Sequence, residues 1–120
     1  MIRIVIDHPD GTTKYVPAPC RGVVAGVKVV FQTNTVEVND TVVVAKNATA
    51  VNTVTAAVTA GLVVEKGVPD ATNKGLVFDP DSATATDQVM VVTDTGAPGD
   101  KIVIIEFDDF AFVAQPASEA

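Results

Sequence analysis

Residues 2–6 read Ile-Arg-Ile-Val-Ile, with an isoleucine at every second position. Successive side chains of a strand point to opposite faces, so this spacing predicts a strand with one apolar face. Asp7-His8-Pro9-Asp10-Gly11 interrupts it, and Thr13-Lys14-Tyr15-Val16 follows. An Asp-Gly pair between two such runs is a tight-turn signature, so the two segments are expected to form an antiparallel hairpin. Pro17-Ala18-Pro19 then ends the pattern, because proline has no amide hydrogen to give to a sheet ladder, and a loop is expected up to Gly22. From residue 23 to residue 31 the odd positions are Val, Ala, Val, Val and Phe, while the even ones include Gly26 and Lys28. That predicts a strand burying its odd-numbered face. Residues 35–38 and 41–45 are two more apolar runs separated by Asn39-Asp40, and three strands in series predict a meander.

Residues 47–61 fit two periods. Val51, Val54, Val58 and Leu62 sit at helical spacing, while the even positions from 52 to 60 also alternate with threonine. The β-branched residues disfavour a helix and Gly61 suits a helix end, so a strand and one short helix around residues 48–60 both stay open. Residues 63–64, 76–78, 89–92 and 102–107 read as strands, separated by loops carrying Pro69-Asp70, Asp79-Pro80-Asp81 and Gly96-Ala97-Pro98-Gly99. Short strands with turn signals between them predict an all-β fold, an antiparallel β-sandwich or a barrel-like domain. Residues 42–44 and 102–105 are apolar on both faces, which implies cover on both sides and points to a neighbouring subunit.

Composition strengthens the expectation of sheet. Twenty-four Val, fourteen Thr and six Ile stand against two Leu; side chains branched at Cβ crowd a helix and pack well on a pleated surface. A length of 120 residues suits one core, so residues 1–115 are expected to form a single β-rich domain and residues 116–120 a flexible tail. The formal net charge of −7 and the scattering of eight basic residues argue against nucleic acid as a partner, since phosphate binding needs concentrated Lys and Arg. No run reaches the eighteen apolar residues of a membrane helix, and no membrane partner is expected. The apolar start is too short for a secretory signal, so synthesis in the cytoplasm is expected. Cys20 has no second cysteine to pair with.

The sharpest chemical motif is Asp94-Thr95-Gly96, the Asp-Thr-Gly of aspartic proteases, set between two apolar runs. In those enzymes two carboxylates share a proton, because like charges so close cannot both ionise cheaply; one copy per chain would demand a homodimer. The resemblance to the retroviral-type enzymes covers these three residues and would put catalysis on Asp94. However, only twenty-four residues follow Gly96, too few for a flap and cleft, and Glu106 follows Ile104-Ile105 where that family places glycine. The reading adopted is a polar turn over residues 93–100, with a homodimeric protease as a minor alternative. Asp79, Asp81 and Asp87, or Asp108 with Asp109, offer oxygen ligands for calcium, but the loop glycine and terminal glutamate of an EF-hand are missing. One His and one Cys cannot build a zinc site. Arg21 is expected to lower the pKa of the neighbouring Cys20 thiol, yet His8, the sole imidazole, stands twelve residues away. No catalytic, cofactor-binding or metal residue is assigned, and an enzyme is not expected.

Binding and assembly remain. In its short length, single β-rich domain, acidic balance, abundance of Val, Thr, Ala and Gly, loops with Pro and Gly, and lack of a reactive cluster, the chain resembles the decoration, or cement, proteins of tailed-bacteriophage heads. The resemblance is one of overall character and transfers no individual residue. It implies a structural virion protein on the capsid exterior, made in the host cytoplasm. Such a protein binds the major capsid protein as a homo-oligomer, with a trimer favoured, and stabilises the head lattice. Ile2, Ile4 and Ile6 are candidate partner-binding residues, because their strand can add to an exposed sheet edge. Phe107, Phe110 and Phe112 are further candidates, as anchors of a core or a subunit interface. The alternative is a small β-sandwich module that binds a ligand or carbohydrate, although one Tyr, five Phe and no Trp offer few aromatic platforms.

Overall fold

The computed structural model describes residues 1–8, 13–31, 41–55, 63–94 and 101–110. Among the described residues the strands are β1 (Ile2–His8), β2 (Thr13–Pro17), β3 (Gly22–Phe31), β4 (Thr41–Lys46), β5 (Thr49–Thr55), β6 (Val63–Lys66), β7 (Val68–Pro69), β8 (Val89–Asp94) and β9 (Lys101–Asp109), with one 3-10 turn at Ala85–Asp87. They form two sheets, ordered β1-β9-β3-β6 and β2-β8-β4-β5-β7, and every strand pairing is antiparallel. The fold is an all-β sandwich. Phe112 and the expected tail at residues 116–120 lie outside the described residues.

The alternation along β9 shows why the sheets close on each other. Lys101, Val103, Ile105 and Phe107 are fully buried, while Ile102, Ile104 and Glu106 face outward and are half-buried. Val24, Val27 and Val29 of β3 share that inner face, and Val42, Val44, Met90 and Val92 meet them from the second sheet. Each such side chain removed from water contributes about 1.5–3 kcal/mol. Phe78 is also fully buried; its ring stands 6.4 Å from that of Phe107 at 57°, a tilted aromatic contact.

Several expectations need correction. β1 and β2 do not pair as a hairpin: β1 pairs with β9 and β2 with β8, so residues 9–12 connect the two sheets. Alternation suits either arrangement, but β9 sets Ile105 and Val103 opposite Ile4 and Ile6 and extends the apolar layer. The Lys14 ammonium donates to the Asp7 carbonyl and ties the two edge strands together. β3 and β4 likewise belong to different sheets, so they are not neighbours in a meander, and the expected strand at residues 35–38 lies outside the described residues.

The odd-numbered face of β3 does not stay inside along its whole length. Ala25 is an extra residue between Val24 and Gly26 in the register with β9, and this bulge turns Val24 inward in place of Val23. The helix considered around residues 48–60 is a strand over Thr49–Thr55, and residues 56–60 lie outside the described residues. A two-residue turn, Asn47-Ala48, joins it to β4, with Asn47 at a φ of 54° that asparagine tolerates better than most residues. Residues 76–78 form no strand; Phe78 makes one isolated bridge to Gly22. The half-buried state of Val43, Ile102 and Ile104 shows that the second faces of residues 42–44 and 102–105 are not fully covered within this chain.

Gly22 marks the tightest approach in this region. Its amide donates to the Phe78 carbonyl at 3.0 Å and its carbonyl accepts from the Phe78 amide at 2.8 Å. A Cβ there would collide with the Asp108 carbonyl and the Phe107 ring, whereas one at Gly75 would meet open space. Gly22→Ala is therefore expected to lower stability by about 1–3 kcal/mol, and Gly75→Ala to change it by no more than about 0.5 kcal/mol, both measured by urea denaturation.

Candidate functional site

Asp94 ends β8 and Lys101 begins β9, so the segment between them crosses from one sheet to the other. The Lys101 ammonium donates to Asp94 Oδ2 at 2.6 Å, and both side chains are wholly buried. Such a pair forfeits the hydration of two charges, and close mutual attraction offsets that loss. This departs from what the Asp-Thr-Gly motif requires. A protease carboxylate must meet water, substrate and a second carboxylate, whereas Asp94 faces the core and is held by an ammonium. Thr95 and Gly96 lie outside the described residues.

The aspartates considered for calcium organise loops. Asp79 Oδ1 accepts from the Asp81 amide at 2.9 Å, a local turn closure. Asp87 accepts from Lys46 at 2.7 Å and from the Ser82 hydroxyl at 2.9 Å, while Lys46 also donates to the Val77 carbonyl at 3.0 Å. The loop over residues 77–88 is thus moored to the end of β4. The hydrogen bond from Lys46, followed by that from Ser82, holds the Asp87 carboxyl below its ordinary pKa. Among the described residues, no three His, Cys, Asp or Glu side chains gather so as to hold a metal ion.

Arg21 does not govern Cys20. Burial first, and then the Asp109 carboxylate that accepts from the thiol, push the Cys20 pKa up instead of down. The Arg21 guanidinium instead lies over the Phe110 ring, 5.1 Å from its centroid. His8 pairs in register with Lys101, whereas Gly22, two residues from Cys20, pairs with Asp109 at the far end of β9. Eight residues of strand at about 3.3 Å each separate the backbone positions of His8 and Cys20 along β9. Phe107 is fully buried and serves the core, presenting no surface to a partner, while Phe110 is half-buried beneath Arg21. Ile2, Ile4 and Ile6 are partly buried, packed on the core from an edge strand.

The outer face of the first sheet was read only in part from the sequence, through the two apolar faces of residues 102–105; Val5, Val30 and Val64 were not singled out. The registers set Val5 beside Ile104 in a row that continues to Lys28 and Lys66, and Ile102 beside Val30, which in turn faces Val64, with Asp7 at the far end of that second row. Val5 is 64 % exposed and Val64 56 %, and with Ile104, Ile102 and Val30 they make an aliphatic patch across the two rows. Beside it Glu106 binds Arg3 at 3.7 Å and Lys28 at 3.8 Å. On the opposite outer face Thr13, Thr93, Val43, Thr53 and Val68 form one row. That face is therefore mixed: Val68 is 70 % exposed, and Tyr15, 69 % exposed, stands beside Val91 on the same side. The clue in the sequence was the unbroken Ile-Val-Ile-Ile of residues 102–105, whose even positions required an explanation.

Asp94→Ala removes the carboxylate that holds the Lys101 ammonium in the core and should cost about 3–5 kcal/mol, whereas the double replacement Asp94→Leu with Lys101→Met should recover most of that loss, both read from urea unfolding. Asp87 has a lower pKa folded than unfolded, so its contribution is present above the unfolded value, about 3.9, and fades as pH falls through the folded one. The melting-temperature difference between wild type and Asp87→Asn should accordingly stay flat above about pH 5 and shrink below about pH 4.

No family model matches the chain, and neither the curated proteins nor the solved structures contain a match, so its function is read from its own surfaces.

Proposed function

We propose that the chain is a structural protein that binds the outer surface of a tailed-phage capsid in many copies and stabilises the head lattice. The observation that carries this reading is the aliphatic patch on the outer face of the first sheet: Val5, Val30, Val64, Ile102 and Ile104. Apolar side chains set contiguously on a strand face lose contact with water when another surface covers them, and such patches mark association sites. The paired charges beside the patch, Arg3, Glu106 and Lys28, supply a polar rim.

Stabilisation follows from mass action. A ligand that binds the expanded lattice and not its precursor shifts the equilibrium toward the expanded form. Repetition over a symmetric shell lets a modest contact suffice at each site. The β-sandwich suits this task because its rigid sheets hold the patch in one shape on binding.

The test is co-sedimentation with mature and with unexpanded heads of the phage that encodes the chain. Retention on mature heads alone is expected, and Val64→Asp should weaken it about tenfold while leaving the melting temperature close to that of wild type. Equal retention on both kinds of head, retention on neither, or a Val64→Asp variant that binds like wild type would refute the reading.

A further inference from the structure

We propose that β1 pairs antiparallel with β1 of a second copy of this chain, about a twofold axis through Val5. The proposal goes beyond the capsid reading and does not rest on it. Among the described residues β1 pairs on one side only, with β9, and so presents a second row of backbone donors and acceptors at the edge of its sheet.

The sequence of β1 is complementary to itself in this one register. With Val5 opposite Val5 of the second copy, residue numbers across the pair sum to ten. Arg3 then faces Asp7 and Asp7 faces Arg3, so two opposite-charge pairs form at once. Ile4 faces Ile6 on the other side of the strand, again twice. Arg3, Val5 and Asp7 are exposed, whereas Ile2, Ile4 and Ile6 are half-buried against the core. The pairing therefore places charge with charge on the outer face and covers the open flank of the sandwich with isoleucine. Within one chain Arg3 lies beside Glu106, so the outer row would alternate in sign from Glu106 to Arg3 to Asp7 of the second copy.

A shift of one residue would set Arg3 against an aliphatic side chain or His8, and a shift of two would break both charge pairs. Cross-strand pairs of opposite charge favour a register and like charges oppose it. Lys14 occupies the Asp7 carbonyl near the end of β1; that oxygen keeps a second lone pair for a partner strand. The joined sheet would run β6-β3-β9-β1-β1-β9-β3-β6 and carry the aliphatic patches of both copies on one surface.

Sedimentation equilibrium of the full chain should show a monomer–dimer equilibrium. Arg3→Asp sets carboxylate against carboxylate and Asp7→Arg sets cation against cation, so each should weaken dimerisation about tenfold or more, and the double swap Arg3→Asp with Asp7→Arg should restore it. In a Cys20→Ser background, Val5→Cys should cross-link the chain to a dimer under mild oxidation, because directly opposite Cβ atoms lie about 4.5–5.5 Å apart. Melting curves verify that each variant folds, and the cross-link remains decisive if a charge variant does not. A chain that is monomeric at every concentration, a closed trimer, a dimer insensitive to the single swaps or not rescued by the double one, or a failure of Val5→Cys to cross-link would each overturn the proposal.

Discussion

The inward face of β9 is where the structure is held together. Lys101, Val103, Ile105 and Phe107 are buried at successive alternate positions, and the strand is paired along both edges, by β1 on one side and β3 on the other. A strand so placed must bring both flanking strands into register with its own alternation. Phe107 draws in Phe78 and with it the long connection between β7 and β8. Lys101 reaches Asp94 of β8 and thereby links the first sheet to the second through a charge pair that water does not touch. Hydrophobic burial provides the driving force, while the ion pair sets a directional condition on how β8 and β9 meet.

From this follows the make-up of the outer face of the first sheet. Because the inner positions of β9 are all committed to the core, its even positions point outward whatever their chemistry. Two of them are isoleucines, and Val5, Val30 and Val64 lie in the same rows of the sheet. The outer face of the second sheet is mixed, with Thr13, Thr93 and Thr53 in one row with Val43 and Val68, and Tyr15 beside Val91 in another.

The sheet content, the strand positions at residues 23–31, 63–64, 89–92 and 102–107 and the antiparallel sandwich were all legible from β-branched composition and alternation. Their partners were not. Asp10-Gly11 looked like a hairpin turn because turn chemistry is local, yet β1 and β2 found larger apolar faces on β9 and β8 than on each other. The face of β3 near its start was misread because a bulge at Ala25 breaks the period of two without any special residue to announce it. Residues 49–55 could not be separated from a helix by spacing, and pairing with β4 decided them. Asp94 drew attention through a three-residue motif, but its role depends on Lys101, a residue that nothing in the motif names.

Sequence alone determined that this chain forms sheet and where most strands run, because χ1 stiffness and alternation act within a few residues. It also determined the acidic balance and the absence of a second cysteine to staple the fold. Tertiary structure decided which strands pair, which of two apolar faces turns inward, and that Asp94 meets the Lys101 ammonium in the core. Those outcomes rest on contacts between residues far apart in the chain, where the burial available to competing partners is compared only once both sheets are in place.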